Sequence, residues 1–512
     1  MKKICDSFHQ VCLKGNSIHR TKIKKGFMKS TKSSIIMMFF SLFFTRNIFC
    51  FSPAATRDLL LGYIENDSSV KENALSVQKA QLSLESAKIN NNFDITLSTG
   101  NITFKFDDES SFSIKPAVEL KIPQVSNMVV SSSANLASQK SSGQSNFSAS
   151  DFKLNMEIDV FGSANSERQI SLLKAQRTYD EAMRNLQNQT VACEKSFYAE
   201  LKSILNSVEN ILSLQKTLYT NKIDFETIKS KGYNENSSTY RTAQMKILSN
   251  EYDIEKQLRS LLHLYIVFYK KCGSDISELS DLQISQDFDF YELIPLDIQE
   301  SKPLDIHAFD MKLFSEVEKA LWTNKINSLQ RKSKSNFSLK ANGGFTLNNK
   351  DYQAPTVDAG VSSAIGGINV AANINVPIST ENGSSSGPSV TFSASVSPNK
   401  FHTNSIESKT DNLNEEQEIL AIEKARNNYE TTIVEYEQKL NDLQWNKKSS
   451  EEYYEMYRKM EKDLQKWFMD GFVTESEYFS AKVNAQSYFV KTVINKIELI
   501  MYNDEILSLF VD

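Results

Sequence analysis

Proline and glycine are scarce in this 512-residue chain, nine and 16 respectively, and where they are missing is the informative fact. Proline is absent from 124–294 and again from 399–512. Past the N-terminal region, glycine outside 93–161 and 336–405 occurs only at Gly62, Gly162, Gly232, Gly273 and Gly471. Keeping both breakers out of such long stretches is what uninterrupted helices require. An excess of basic charge is also missing. The formal net charge is −5 and the pI near 5.8, so there is no polybasic footprint for nucleic acid. Of the five cysteines, Cys5, Cys12 and Cys50 fall within the first fifty residues, and Cys193 with Cys272 is too little for a disulfide framework. The five histidines (9, 19, 263, 307 and 402) are scattered, and the chain has no phosphate loop, no His-Glu-x-x-His and no Cys/His cluster. Gly366-Gly367-Ile-Asn-Val reads as strand and does not match a dinucleotide fingerprint. No enzyme and no cofactor is indicated. Past the leader there is no run of about 18 apolar residues, so a chain of this kind crosses a membrane with strands or not at all.

The first stretch, 1–52, reads as a secretory signal-peptide region. Lys22, Lys24, Lys25, Lys29 and Lys32 precede a ten-residue, largely apolar run at 35–44, too short to span a bilayer as a helix. The basic part is long, which places the expected start of translation at Met28 and not Met1. Cys50 is a candidate lipidation site, although Asn47-Ile-Phe-Cys50 lacks the small residues a lipobox usually carries.

Along the rest of the chain the hydrophobic period switches repeatedly. A short helical segment is expected over 53–92, with Leu60, Tyr63, Val70, Leu75, Leu82 and Leu84 at loosely helical spacing. Over 93–161 the period becomes two: Phe93, Ile95 and Leu97, then Ile102, Phe104 and Phe106, then Val118, Leu120 and Ile122 alternate with polar residues. Such segments of about ten residues fit a transmembrane β-barrel, and a soluble amphipathic sheet has the same pattern. From 162 to 273 the helical period returns. Phe197, Leu201, Ile204, Val208 and Ile211 step by four, three, four and three, as in a coiled-coil seam. An acidic, irregular linker follows over 274–302.

Then the order repeats: a helix over 303–335, strands over 336–405 and a second helical hairpin over 406–512. The segment from Phe337 to Leu347 echoes that from Phe93 to Phe104, and the two hairpins carry matching tips. Each tip has one glycine (Gly232, Gly471), a short polar turn, and then an aromatic residue and an alanine opening the return helix (Tyr240 and Ala243; Tyr478 and Ala481). A lone glycine followed by cap-forming residues is how two long antiparallel helices exchange direction. The chain is therefore an internal duplication with a period of roughly 240 residues. Each half offers too few strands to close a barrel, and open edges are not tolerated in lipid, so several copies are needed to complete one.

In this duplicated order the chain resembles the outer-membrane efflux family, the TolC-like channel-tunnels, over about 57–505. Two local motifs carry the likeness. Asp159-Val-Phe-Gly-Ser-Ala-Asn165 is similar to the family's Pro-Leu-Phe-Asp-Gly-Gly strand-to-helix junction. Phe468-Met-Asp-Gly471 matches its aromatic-x-x-Gly tip; the first tip keeps Gly232 without an aromatic at that spacing. The expected fold is thus mixed α/β, mostly helical, with coiled-coil hairpins and strands that complete a transmembrane barrel only in a trimer. The resemblance implies a homotrimer with a twelve-strand barrel in outer-membrane lipid and helices reaching through the periplasm. It also implies a passive exit duct for efflux or type I secretion, docked by a periplasmic adaptor (membrane-fusion) protein. The inner-membrane transporter would be of the resistance-nodulation-division or ABC type. At the second tip, Glu477 stands where the family has its first pore-constricting acid. Ser480 stands where the second would fall, and Glu475 adds a carboxylate on the turn. A ring of Glu477 near a threefold axis would favour cations. The other reading of Glu477 is local, because Thr474-Glu-Ser-Glu477 is a capping-box pattern. Glu235 in the first tip reads as an exposed turn residue. The rival function is a periplasmic coiled-coil adaptor or scaffold without a pore, which shares long hairpins but has no duplicated strands.

Overall fold

The computed structural model describes residues 56–106, 110–141, 144–161, 164–274, 297–334, 337–347, 355–378 and 387–511. The chain divides into a first unit, Met1–Ser52, and a second, Pro53–Asp512. The leader region and Cys50 lie outside the described residues, as does most of the acidic segment 274–302.

The second unit repeats one order of elements. In the first half, α1 (Thr56–Asn66) and α2 (Ser68–Asn90) lead into six strand segments, β1 (Asp94–Ser98), β2 (Ile102–Phe106), β3 (Ser110–Ile114), β4 (Ala117–Ile122), β5 (Met128–Ser141) and β6 (Gln144–Phe161). The hairpin α3 (Ala164–Ser230) and α4 (Ser238–Lys271) follows. In the second half, α5 (Ser315–Ser333) leads into β7 (Phe337–Leu347), β8 (Thr356–Ile365), β9 (Ile368–Pro377) and β10 (Ser389–Val396), then the hairpin α6 (Pro398–Met469) and α7 (Glu475–Leu509). With 67 residues, α3 reaches about 100 Å at about 1.5 Å per residue.

Three boundaries differ from the sequence reading. The first helix breaks in two at Asp67, whose side chain accepts from the Val70 amide at 2.8 Å and starts a new helix. The helix expected over 303–335 starts only at Ser315; before it, Asp305 and Asp310 each cap a single 3-10 turn. The strands expected to 405 end at Val396, because Pro398 sits in the first turn of α6, where its missing N–H costs nothing.

All strand segments join one antiparallel sheet. β3 and β4 pair with successive stretches of β5, Ser111–Ile114 against Leu136–Gln139 and Ala117–Ile122 against Met128–Ser133, so they form one row broken at Lys115-Pro116. β1 and β2 form the facing row, broken at Gly100, where φ is +60° and a Cβ would lie 2.0 Å from the Lys115 carbonyl oxygen. The sheet is therefore a meander of eight rows, four from each half, with the duplication seam where β6 pairs with β7. The outer edges of β1 and β10 pair with no other strand among the described residues.

The helices hold two cores. The seam read from the sequence is buried, with Phe197, Leu201, Val208 and Ile211 fully so, against Ile254, Leu258 and Phe268 of α4 and Val490 and Ile497 of α7. The second core gathers Phe314, Val317, Tyr429, Tyr502, Ile506 and Phe510. Polar contacts join the halves: Arg177 bonds both oxygens of Glu318, and Arg184 reaches the same carboxylate at 3.1 Å. Arg177 beside Glu318 holds that carboxyl below its usual range. Lys195 of α3 and Lys439 of α6 both bond Glu505 of α7.

Next to Glu505, Asp504 is 7% exposed and one of its oxygens has no hydrogen-bond partner. Burial first, and then the neighbouring charges of Glu194 and Glu505, push its carboxyl up to about 8, with Lys195 opposing. The folded chain thus prefers the protonated acid. Stability is complete below the unfolded value of about 3.9 and declines as pH rises toward the folded value. Thermal melts should show Tm falling from about pH 4 to about pH 8. Asp504→Asn, neutral throughout, should flatten the slope and add about 1–3 kcal/mol at the alkaline end. An identical slope in the variant would remove Asp504 as its source.

Candidate functional site

Two surfaces stand out, the tips of the hairpins and the face of the sheet. The tips share one backbone design. At the first, the Gly232 amide bonds the Lys229 carbonyl at 2.9 Å and the Tyr233 amide bonds Ile228 at 3.4 Å; at the second, Gly471 bonds Phe468 at 3.0 Å and Phe472 bonds Trp467 at 2.8 Å. This Schellman pair needs a left-handed residue, and φ is +84° at Gly232 and +77° at Gly471. Open space surrounds both positions, so the backbone angle alone demands glycine. Each return helix is then capped by a hydroxyl, Ser237 accepting from the Tyr240 amide at 3.2 Å and Thr474 from the Glu477 amide at 3.4 Å.

Here the tips diverge. Glu477 closes a full capping box, its Oε2 accepting from the Thr474 amide and from the Thr474 hydroxyl, both at 2.9 Å. The backbone bond first and the hydroxyl second hold its carboxyl below the usual range. Glu477 and Glu475 are exposed and Ser480 is half-buried. Tyr219 of the first hairpin lies beside Glu475; burial first and the Glu475 carboxylate second raise its hydroxyl above the usual range. Glu235 is exposed, and it is its backbone carbonyl that accepts from Arg241, at 2.8 Å. Gly471, Glu475, Glu477 and Ser480 thus share one tip, and Gly232 with Glu235 the other.

Tyr240 and Tyr478, which the sequence reads as tip packing, brace the two tips against partners that spacing did not identify. Phe468 stacks on Tyr478 with centroids 5.9 Å apart, and Phe225 meets Tyr240 at 4.8 Å with Lys229 over its ring. The first tip has its aromatic after all, seven residues before the glycine instead of three. Tyr219 lies on Phe479 at 4.3 Å and ties the two hairpins together near their ends.

The sheet sorts its side chains by face. Ile95 opposes Leu120, Leu120 opposes Val130, and Val130 opposes Met156. Past the duplication seam the row of apolar positions goes on, with Leu154 opposite Phe345, Phe345 opposite Val357, and Val357 opposite Val376. Ile374 then opposes Val390 at the far edge. Most of these side chains stand exposed, from Val376 at 39% to Ile95 and Val390 at 54%, and toward the two edges Leu97 and Phe392 reach 74% and 77%. The other face carries Lys340 paired with Glu157 at 2.9 Å, and Asn375 bonded to Asp358. One face is largely apolar across the sheet, broken in β5 by Ser132 and Ser138, and the other is largely polar. Among the described residues no group of metal-ligating side chains is present, and no helix is long and apolar enough to cross a membrane.

Two family models match this chain, that of the TP096X N-terminal domain over residues 59–295 and that of the TP096X C-terminal domain over 299–512. They divide within the linker between the two halves. No curated protein matches it in sequence. Among solved structures it is similar to the MtrE outer membrane channel of Neisseria gonorrhoeae, with 13% identity and a TM-score of 0.47 over 88% of this chain and 89% of that one. It is similar to the CmeC outer membrane channel of Campylobacter jejuni, with 11% identity and a TM-score of 0.43 over 89% and 86%. It is also similar to the outer membrane protein VceC of Vibrio cholerae, with 10% identity and a TM-score of 0.42 over 89% and 97%. These are proteins of the outer membrane, as are those that the duplicated order of elements resembles.

The capping box gives a direct test. Thr474→Ala should cost about 1 kcal/mol at the start of α7. Amide exchange at 475–478 should speed up accordingly while the core of α7 near Ile497 stays protected. Unchanged exchange at the tip would show that the cap contributes nothing there.

Proposed function

The chain belongs to the TP096X family, and we propose that it works as a trimeric outer-membrane channel-tunnel, the passive exit duct of a tripartite efflux pump or a type I secretion system. One observation carries this reading. The sheet exposes a largely apolar face that runs from β1 to β10, and among the described residues its two outer edges are unpaired. Exposed apolar surface on this scale marks a site that meets lipid or another chain. Strands with one apolar and one polar face suit a barrel with lipid outside and water within. A coiled-coil adaptor or scaffold has no use for such a sheet.

In this reading the helices extend the duct away from the sheet, since α2, α3, α5 and α6 each join a strand at its end. At the far end of the tunnel, three copies of the second tip would gather Glu477, Glu475 and Ser480 around the periplasmic opening, with Gly232 and Glu235 of the first tip beside them. The carboxylate of Glu477, held below the usual range by the Thr474 amide and hydroxyl, stays ionised and forms a fixed acidic ring. The chain performs no chemistry. A periplasmic adaptor would dock on the helices, and an inner-membrane transporter of the resistance-nodulation-division or ABC type would supply the energy.

Planar-bilayer recording on the detergent-extracted protein, with oligomeric mass measured alongside, tests the proposal. Trimers giving discrete, cation-selective steps are expected, and Glu477→Gln should lower cation selectivity without abolishing conductance. A protein that stays in solution without detergent and gives no steps would overturn the channel reading.

A further inference from the structure

The eight rows of the sheet reach further than the family likeness does. Three copies of a twelve-strand barrel would supply four strands each, whereas each half of this chain already lays four rows. The question is what closes the two outer edges. The first row, β1 with β2, runs away from the helices and β10 runs back toward them. An even-numbered meander placed beside a second copy therefore meets it antiparallel at the joint. Lateral joining of that kind is head-to-tail and closes into a ring when the rotation allows.

The helices that continue these edges carry matching surfaces. α2 runs into β1, and besides its buried stripe of Val70 and Leu84 it has an outer one at seven-residue spacing, Leu75, Leu82 and Ile89, each more than half exposed. α6 leaves β10 with Ile406, Leu413 and Leu420 at the same spacing, 64%, 60% and 62% exposed. The depths agree. Leu82 and Leu75 lie about 12 and 22 Å from the sheet end of α2, and Ile406 and Leu413 lie equally far from the sheet end of α6. Within a copy α2 packs mainly on α3, and α6 on α5 and α7. Charge is complementary as well: α2 carries three lysines against two glutamates, while 398–424 carry six acids against three lysines.

We infer that copies of this chain join along a single seam that starts in the sheet and continues into the helices. In the sheet, β10 of one copy pairs with β1 of the next; below it, Ile406 and Leu413 of one lie on Leu82 and Leu75 of the other. Resting on the trimeric reading above, this makes a ring of 24 strands, eight rows from each copy. The widths favour that count over half of it. With strands about 4.8 Å apart and tilted by about 40°, eight rows span about 50 Å of circumference and four span about 25 Å. The four helices of each copy, about 10 Å apart, span about 40 Å. The 24-strand ring is about 48 Å across, twice the width of a 12-strand one, by the same spacing and tilt.

Two measurements on the full chain decide it. Chains carrying Leu82→Cys and chains carrying Ile406→Cys, with different tags, are co-expressed, extracted in detergent and treated with a short bis-maleimide. A mixed-tag cross-linked band, absent when either variant is expressed alone, is expected. Class averages by electron microscopy should show a ring near the wider diameter. Trimers that conduct but give no mixed band, or a ring near the narrower diameter, overturn the seam and the strand count and leave the channel standing. A monomer without conductance overturns the channel itself, and the seam with it.

Discussion

A backbone N–H or C=O left without a partner in hydrocarbon costs several kcal/mol, and this sheet ends in two rows of them. The apolar face and the open edges therefore impose one joint requirement. The face calls for lipid or another apolar surface, and lipid in turn requires the edges to be closed. Self-closure of eight rows would give a barrel filled by its own side chains. Closure by further copies instead leaves the polar face, with Lys340, Glu157, Asp358 and Asn375, around an aqueous lumen. In the trimer proposed above, every helix joined to the sheet would inherit its position from that closure.

The helical layer answers a different constraint. Its hairpins bury conventional coiled-coil seams, with Phe197 and Ile254 fully enclosed, and the halves share that core through Val490 and Ile497 of α7, with charged pairs added at the joint. Glu318 takes two arginines of α3, and Glu505 takes one lysine from each half. Charged joints of this sort fix register more than they add stability. The buried carboxyl of Asp504 beside them, with an oxygen unpartnered, works against folding whenever it ionises. The joint is specified at the expense of stability.

Most of the architecture was legible in the chain. Breaker-free stretches marked the long helices, alternation marked the strands, and the two glycines marked the tips at the residues where the backbone turns left-handed. The capping box at Thr474 and Glu477 was readable from spacing, because it is entirely local. What spacing did not give depends on contacts distant in sequence. The brace of Phe225 on Tyr240 sits at an unfamiliar interval, and Tyr219 meets Phe479 across hairpins 260 residues apart. The number of rows was hidden because β1 with β2, and β3 with β4, each read as two short strands until their shared partners aligned them. The break at Asp67 and the late start of α5 were set by aspartate caps that interrupt an otherwise continuous apolar period.

Of the two readings of Glu477, the cap is present in the fold, and it is compatible with the pore lining proposed for a trimer. An exposed carboxylate near two like copies would tend to take up a proton, since like charges raise each other's affinity for it. The bonds from the Thr474 amide and hydroxyl oppose that by favouring the charged form, and they fix where the charge sits. The first tip has no counterpart, because Tyr240 occupies the position that Glu477 holds in the second and its ring is committed to Phe225. In a trimer only one tip of each copy would then supply a fixed charge through its cap, so the ring at the periplasmic end would carry three such carboxylates, one from each copy. Within one copy the two hairpins meet near their tips where Tyr219 lies on Phe479, with Glu475 beside the Tyr219 hydroxyl.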